Sequence, residues 1–181
     1  MLIRFNKPYQ THCQFSGDGE TLSRYIQIPN VYPAGRLDKD SEGLVLLTDN
    51  GKLQAQISDP KHKLPKTYWV QVEGEPDKSA IWQLRRGIII NGKKTLPAEA
   101  KIIPAPAIWP RHPPVRERKH IPTQWLELTI KEGRNRQIRH MAAAIGFPVL
   151  RLVRVAIGPW SLADLEPGQW QQTSETFQDP L

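Results

Sequence analysis

The sequence predicts an α+β protein, with a mixed and mainly antiparallel sheet and helices on its flanks. Residues 66–73 and 124–131 alternate apolar and polar side chains, as half-buried strands do. Other short stretches place apolar residues three and four positions apart, which is typical of amphipathic helices. The pair Asn91-Gly92 favours a tight β-hairpin and therefore antiparallel pairing.

The first third of the chain is predicted to contain two strands and two helices. Residues 2–5 alternate apolar and basic side chains and form the opening or an edge strand. Residues 21–28 form a short amphipathic helix that Pro29 ends. Residues 43–47 form a buried strand, closed by a turn at Asn50-Gly51. A short helix over residues 52–58 follows that turn.

The middle of the chain is predicted to contain a strand, a helix and a hairpin. Tyr68 lies on the inward face of the strand 66–73, where a tyrosine is ordinarily a core residue. Asp77 caps a helix over residues 78–86, and Gly87 ends it. Residues 88–90 and 96–103 are expected to form the two arms of the hairpin around Asn91-Gly92.

The last third is predicted to contain two strands and one helix. The strand 124–131 leads to a helix over residues 135–145, which Gly146 ends. Residues 149–157 form a long final strand, and residues 161–181 form a polar closing segment.

Length and composition restrict the class of protein. The 181 residues suffice for a single domain over residues 1–181, or for two tightly joined halves. The net charge of +7 and a pI of about 9.7 favour a polyanionic partner. No apolar run reaches the length of a membrane span, and a lone cysteine, Cys13, fits a reducing compartment. The five histidines do not cluster at the spacing of metal ligands.

A proline-rich segment, residues 104–122, differs from the rest of the chain. It contains six prolines and is therefore expected to be extended, without regular helix. Its charged residues sum to +3, with Trp109 available for stacking on a base. The segment is either a solvated insertion or an RNA-contacting arm. The cations of the arm are Arg111, Arg116, Arg118 and Lys119, against the single acid Glu117.

An acidic loop, residues 38–43, precedes the buried strand at 43–47 and admits several interpretations. Asp38, Asp40 and Glu42 occupy positions 1, 3 and 5 of an EF-hand-like calcium loop, but the flanking helices are not predicted. Asp38 and Asp40 could instead serve phosphoryl transfer, although a phosphate cradle is missing. Asp38 could act alone as a nucleophile or base, or the loop could simply be solvated.

Residues 35–51 decide between these interpretations by their pattern. The pattern Gly-Arg-Leu-Asp-x-x-Ser-x-Gly-Leu-x-Leu-Leu-Thr-x-x-Gly resembles the signature of pseudouridine synthases that act on small-subunit and large-subunit ribosomal RNA. The resemblance implies the pseudouridine synthase fold, with a central catalytic cleft and two subdomains on either side of it. Further blocks that match in the same order are residues 5–8, 66–70, 132–141, 146–154 and 157–158.

The resemblance also implies roles for particular residues. Asp38 acts on the sugar or the base, Tyr68 stacks on the base and takes part in removing the C5 proton, and Arg139 pairs with Asp38. Three arginines within six residues lie at a strand-to-helix turn, where anions bind well. Arg36 would take the place of the flipped-out base. The remaining substrate-binding residues are expected to be Leu152, which would line the uracil, Arg134 and Arg136.

The expected protein is therefore a cytoplasmic, monomeric enzyme that needs no cofactor and no metal. Its partner is ribosomal RNA, not a membrane, and the S4-type RNA-binding domain that often precedes the catalytic part in this family is not expected. Two alternatives remain: an RNA-binding module without catalysis, in which Asp38 is structural, and a metal-dependent phosphohydrolase. The first would bind RNA without changing it, and the second would lose activity with a chelator.

Overall fold

A computed structural model describes residues 1–176, which fall into two compact units. The first unit contains Met1–Leu64 and the described residues from Arg154 onward, and the second contains Pro65–Val153. The described residues contain three α-helices: α1 (Gly51–Ser58), α2 (Lys78–Arg86) and α3 (Gln137–Ala144). The strands are β1 (Leu2–Lys7), β2 (Tyr32–Pro33), β3 (Glu42–Thr48), β4 (Lys66–Glu73), β5 (Ile89–Ile90), β6 (Lys93–Lys94), β7 (Glu99–Ile103), β8 (Thr123–Ile130), β9 (Val149–Ile157), β10 (Trp160–Ser161) and β11 (Trp170–Thr173).

In the first unit, β1 lies between two antiparallel partners, β11 and β3. Every residue of β3 is buried, which explains its nearly continuous apolar sequence. Pairing of Lys7 with Gly43 places the end of β1 beside the start of β3, directly after the acidic loop. The short strand β2 pairs with β3 as well, so the acidic loop begins and ends on neighbouring strands.

In the second unit, β8 lies between β4 and β7, with antiparallel pairing on both sides. Tyr68 on β4 lies opposite Leu128 on β8, and both side chains are buried together with Val70 and Val72. Strand β9 crosses from the second unit into the first after Val153. Among the residues that the structure describes, no helix is long and apolar enough to cross a membrane.

The predicted α+β class is confirmed, and several elements match their predicted bounds. Strands β4 and β9 and helix α2 begin and end at the predicted residues. Asp77 caps α2 by accepting a hydrogen bond from the Ala80 N–H at 2.8 Å, and Gly87 follows the helix with a φ of 98°. The segment 104–122 contains no helix or strand, as its prolines predict.

The predicted helix over residues 21–28 is wrong, because only Leu22–Arg24 form a single 3-10 turn. The Thr21 hydroxyl lies 2.6 Å from the Ser23 hydroxyl and does not cap a helix. The predicted turn at Asn50-Gly51 is instead the start of α1. There the Asn50 side chain accepts hydrogen bonds from the backbone N–H groups of Lys52 and Leu53.

The hairpin around Asn91-Gly92 is present, but its second arm was predicted wrongly. Asn91 and Gly92 have φ values of 50° and 76°, which a tight two-residue turn requires. Such a turn pairs the residues next to it, so β5 pairs with β6 at Lys93–Lys94. Residues 99–103 form β7, which pairs with β8 instead.

The ends of two further predictions also change. Helix α3 begins at Gln137 and not at residue 135, because Arg136 adopts a left-handed conformation with a φ of 51°. The closing segment 161–181 contains strand β11, which pairs with β1 and makes β1 an interior strand. The sequence Trp-Gln-Gln-Thr of β11 does not alternate and is largely exposed, so its pattern gives no strand signal. Residues 177–181 lie outside the described part of the chain.

Candidate active site

Asp38 lies in the acidic loop between β2 and β3, within the first unit. Its carbonyl accepts a hydrogen bond from the Ser41 N–H at 3.1 Å, which closes a turn. The flanking side chains of Leu37 and Ser41 are buried, whereas Asp38 is half-buried and Arg36 is exposed. The loop is therefore anchored on both sides of the Asp38 carboxylate.

Arg154, a residue of β9 in the first unit, ties the two ends of this loop together. Its guanidinium is buried and donates from Nε to the Leu44 carbonyl at 2.8 Å and from Nη2 to the Gly35 carbonyl at 3.4 Å. Gly43 has a φ of 107°, and a Cβ atom there would lie 2.2 Å from the Arg154 carbonyl oxygen. Only glycine fits this contact, so the loop and β9 are closely packed at this point.

Lys7 supports the loop from the end of β1. Its side chain is fully buried, and its ammonium donates to the carbonyls of Pro8 and Thr11 at 2.8 Å each and of Lys39 at 3.3 Å. Burial lowers the pKa of Lys7 from 10.5 to about 8, and the nearby Cys13 thiol and the carboxylates of Glu42, Asp40 and Asp38 oppose that shift. The residue next to Asp38 is thus held by a buried positive charge.

Tyr68 lies on β4 in the second unit, with 8% of its surface exposed. Its neighbours on the strand are fixed by the pairing of β4 with β8, and the hydroxyls of Thr67 and Thr129 lie 2.9 Å apart across that pairing. Within residues 1–176, the structure shows no hydrogen bond from the Tyr68 hydroxyl to the protein. The pairing of β4 with β8 therefore fixes the stretch of backbone that carries the phenol.

The arginine-rich turn between β8 and α3 is the second charged element of this unit. Gln137 holds the turn, because its side chain accepts from the Arg134 N–H at 3.1 Å and donates to Glu132 at 2.7 Å. The left-handed Arg136 is exposed, and Arg139 is half-buried in the first turn of α3. The three predicted arginines thus lie just before α3, at its N-cap position and in its first turn.

Arg134 is engaged in a way that the sequence does not predict. Its Nη2 donates to the Ile90 carbonyl at 2.6 Å, and its Nη1 donates to the Lys93 carbonyl at 3.0 Å. These bonds fasten the β5–β6 hairpin to the turn. A contact between Arg134 and a substrate phosphate would have to use its remaining N–H groups.

Leu152, the predicted uracil-lining residue, lies on β9 and is 6% exposed.

The segment 104–122 is fastened to the second unit at several points. Arg111 donates to the carbonyls of Pro113, Pro114 and Leu150, at distances between 2.9 and 3.2 Å. Arg151 donates to the Trp109 carbonyl at 2.9 Å and lies 5.8 Å from its ring centre. Arg118 lies 3.8 Å from the Glu73 carboxylate, and Arg116 and Lys119 are exposed. Arg111 therefore anchors the segment, whereas the positive charges of Arg116 and Lys119 are accessible to solvent.

The calcium alternative does not fit the structure of the loop. An EF-hand requires a helix on each side of the ligand loop, whereas strands β2 and β3 flank residues 34–41. Across the described residues, no group of three or more His, Cys, Asp or Glu side chains is placed to hold a metal ion.

Sequence comparison identifies relatives of this chain. Residues 1–144 match the family model described as RNA pseudouridylate synthase. The chain is 57% identical over 173 residues to ribosomal large subunit pseudouridine synthase E of Vibrio parahaemolyticus, covering 94% of this chain and 73% of the relative. It is 56% identical over 176 residues to the protein of the same name from Xanthomonas campestris pv. campestris, covering 94% of each.

Structural comparison gives the same result for the fold. A crystal structure of a pseudouridylate synthase matches with a TM-score of 0.81 and 31% identity, over 96% of this chain and 70% of the other. Human RNA pseudouridylate synthase domain containing 1 matches with a TM-score of 0.61 over 86% of this chain and 74% of the other. At 14% identity, the human protein shares the fold alone.

Proposed function

This chain belongs to the RNA pseudouridylate synthase family, and we propose on that premise that it isomerises a uridine of large-subunit ribosomal RNA to pseudouridine. The observation that carries the proposal is that the relatives named as large-subunit synthases match nearly the whole chain. The net charge of +7 supports a polyanionic substrate.

The reaction needs no external group. The bond from ribose C1′ to uracil N1 breaks, the base rotates, and C1′ bonds to C5 instead. The proton then leaves C5, and N1 gains a proton, so the product is an isomer of the substrate. Since the uracil stays bound between these steps, we propose that the chain uses its own side chains without a cofactor or a metal.

Asp38 is the proposed catalytic carboxylate. Its two options, attack on carbon or abstraction of a sugar proton, both require an ionised carboxylate at a fixed position. The anchoring of the loop by Lys7 and Arg154 supports that requirement. Lys7 donates to the carbonyl of Lys39, the residue after Asp38. Arg154 donates to the carbonyl of Gly35, before Asp38, and to that of Leu44 in β3. Arg139 is proposed to keep Asp38 ionised, since a guanidinium stabilises a carboxylate in a desolvated site.

Tyr68 is proposed to act on the base. Its ring would stack on the uracil, and its hydroxyl would take part in removing the C5 proton after the new bond forms. The pairing of β4 with β8 supports this assignment, because it fixes the strand that presents an aromatic ring of the kind on which bases stack. Arg36 would occupy the position of the flipped-out base, and Leu152 would line the uracil.

The RNA backbone is proposed to contact cations of the second unit. Arg136 at the start of α3 and Arg116 and Lys119 of the segment 104–122 are exposed and suited to phosphates. Arg118 could add a contact by leaving its exposed ion pair with Glu73. Arg111 and Arg134 are proposed to position these elements, since their guanidinium groups hold backbone carbonyls.

We further propose that the two units act as subdomains of one catalytic domain, that the enzyme is a monomer, and that it works in the cytoplasm. The experiment that tests the proposed function maps pseudouridines in large-subunit ribosomal RNA from cells with and without this chain. We expect one uridine to lose its modification when the chain is absent, and to regain it when the wild-type chain is returned.

An unchanged modification map in cells without the chain would overturn the proposed function. Binding of the purified chain to this RNA without product would favour the RNA-binding module over the enzyme. Activity that disappears with a chelator would favour the metal-dependent alternative.

A further inference from the structure

A second positively charged surface lies at the β5–β6 hairpin and is distinct from the proline-rich segment. Residues 85–94, Arg-Arg-Gly-Ile-Ile-Ile-Asn-Gly-Lys-Lys, contain four cations and no acidic residue. Arg86, at the end of α2, and Lys93 and Lys94, on β6, are all exposed. We call these three residues, together with the turn at Asn91-Gly92, the hairpin surface.

The hairpin surface is held in place by bonds to the rest of the second unit. Two strands of two residues each are too short to be stable alone. Besides the Arg134 guanidinium on the Ile90 and Lys93 carbonyls, the Glu132 carboxylate accepts from the Leu96 N–H at 2.8 Å. The surface is thus fixed to the turn that carries Arg136, and α3 packs against β5.

Gly87 shows how closely the hairpin packs against the end of α2. It has a φ of 98°, and a Cβ atom there would lie 2.4 Å from the Thr95 carbonyl oxygen. The Thr95 hydroxyl accepts from the Ile88 N–H, and the Thr95 N–H donates to the Ile88 carbonyl, both at 2.9 Å. These contacts hold β6, with Lys93 and Lys94, against the end of α2, where Arg86 is the last residue.

The positive charges of this surface have no ion-pair partner among residues 1–176. In the part of the chain that the structure describes, no carboxylate forms an ion pair with Arg86, Lys93 or Lys94. The Arg86 guanidinium lies over the ring of Trp82, 4.4 Å from its centre, and Trp82 is 54% exposed. Ile89, beside the lysines, is 69% exposed. Like charges placed together repel one another, unless a partner supplies the opposite charge.

We propose that the hairpin surface binds the sugar–phosphate backbone of the RNA substrate, as a contact additional to the segment 104–122. The inference rests on the proposed function, because it takes the same RNA as its partner. Cations with an exposed aromatic ring fit phosphates and unstacked bases, and the surface is fastened to the turn that carries Arg136, a proposed phosphate ligand.

The test compares two double variants with the same change in net charge. Lys93→Glu/Lys94→Glu alters the hairpin surface, whereas Lys52→Glu/Lys78→Glu alters two exposed lysines in the first turns of α1 and α2. Affinity for large-subunit ribosomal RNA, transcribed in vitro, is measured over a range of salt concentrations. We expect the hairpin variant to bind about tenfold more weakly, with a salt slope lower by about two.

Equal affinities and slopes for the two variants would overturn the inference, because general charge attraction would then explain both. Thermal unfolding checks that the hairpin variant folds, and Lys93→Gln/Lys94→Gln provides a milder change with the same expected direction. RNA affinity is measured independently of product formation. A wild-type chain that makes no pseudouridine would therefore overturn the proposed function, whereas the affinities of the two variants could still be compared.

Discussion

The acidic loop and the proline-rich segment are both irregular, but they are held by different kinds of contact. Two buried cations, Lys7 with 0% and Arg154 with 2% exposure, bond to the carbonyls of the acidic loop and its ends. The segment 104–122 is held by one buried cation, Arg151 on the Trp109 carbonyl, together with Arg111 and an ion pair in which the Arg118 side chain is 73% exposed. Bonds shielded from water are stronger than exposed ones. A catalytic carboxylate requires a fixed loop, whereas contacts to RNA phosphates tolerate adjustment.

After the loss of the Asp38 carboxylate, the largest expected effect on rate comes from the loss of a single oxygen, the Tyr68 hydroxyl. Tyr68→Phe keeps the ring that would stack on the uracil and removes the hydroxyl. Product formation in a single turnover should fall by about 10²–10⁴-fold, which is the usual contribution of a proton-transferring group. The affinity for RNA should stay the same, whereas Tyr68→Ala should lose about 1–3 kcal/mol of binding as well.

Product formation by Tyr68→Phe at the wild-type rate would show that the hydroxyl has no catalytic role and that Tyr68 is a packing residue. The rate and the affinity are measured on one RNA for both variants.

Substitution of Gly43 should show how rigid the acidic loop is. A Cβ atom at Gly43 would lie 2.2 Å from a backbone oxygen, which cannot move aside as a side chain can. Gly43→Ala should therefore lower the free energy of unfolding by about 4 kcal/mol. Gly35→Ala is the matched control, because Gly35 also has a positive φ, of 85°, but nothing lies within 4 Å. The control should cost only about 1–2 kcal/mol.

Denaturant unfolding of both variants gives the comparison. Similar losses for Gly43→Ala and Gly35→Ala would contradict the close packing of the loop against Arg154.

The burial of Lys7 should appear as a pH dependence of stability. Since the pKa of Lys7 is lowered from 10.5 to about 8, the unfolded chain binds more protons than the folded chain between these values. Stability therefore rises with pH across this window, by about 3 kcal/mol for this group. Lys7→Met should lack that rise, whereas substitution of the exposed Lys39 by Met should keep it.

Unfolding free energies at pH 7 and pH 10 measure the difference between each variant and the wild type. The same pH dependence in wild type and Lys7→Met would contradict a buried, charged Lys7.

The smallest effects are expected in the proline-rich segment. Arg116→Gln/Lys119→Gln should weaken RNA binding about three- to tenfold and reduce the salt slope by about 1–2, with the rate at saturating RNA unchanged. Arg111→Gln should instead lower stability by about 1–2 kcal/mol and leave the salt slope nearly unaltered, because it loses bonds to carbonyls. A change in slope as large for Arg111→Gln as for the pair would show that Arg111 contacts RNA directly.

The sequence predicts the elements whose side-chain pattern is strong. The alternation in residues 66–73 and the Asp77 cap with Gly87 fix β4 and α2 at their observed bounds. Residues 21–28 show the limit of such patterns, because apolar spacing without a cap gives only a 3-10 turn. Strand β11 cannot be predicted, since it is formed by pairing with β1 rather than by its own sequence.

The same division holds for the candidate site. The pattern around Asp38 carries enough information to identify the family, and the comparisons confirm it. The supporting roles of Lys7 and Arg154 are not predictable, because Lys and Arg are rarely buried and their hydrogen bonds depend on distant parts of the chain. Residue order also does not reveal that Arg134 holds the hairpin, since this contact joins residues more than forty positions apart.

The measurement that tests the account most directly compares Asp38→Asn with Asp40→Asn. Both changes remove one carboxylate from the same loop, but only Asp38 has a role in the proposed chemistry. Release of tritium from C5 of uridine in large-subunit ribosomal RNA reports product formation, and RNA affinity and unfolding are measured alongside. The account predicts no detectable release for Asp38→Asn, near-normal release for Asp40→Asn, and intact folding and binding for both. Substantial release by Asp38→Asn would contradict the assignment of Asp38 as the catalytic carboxylate.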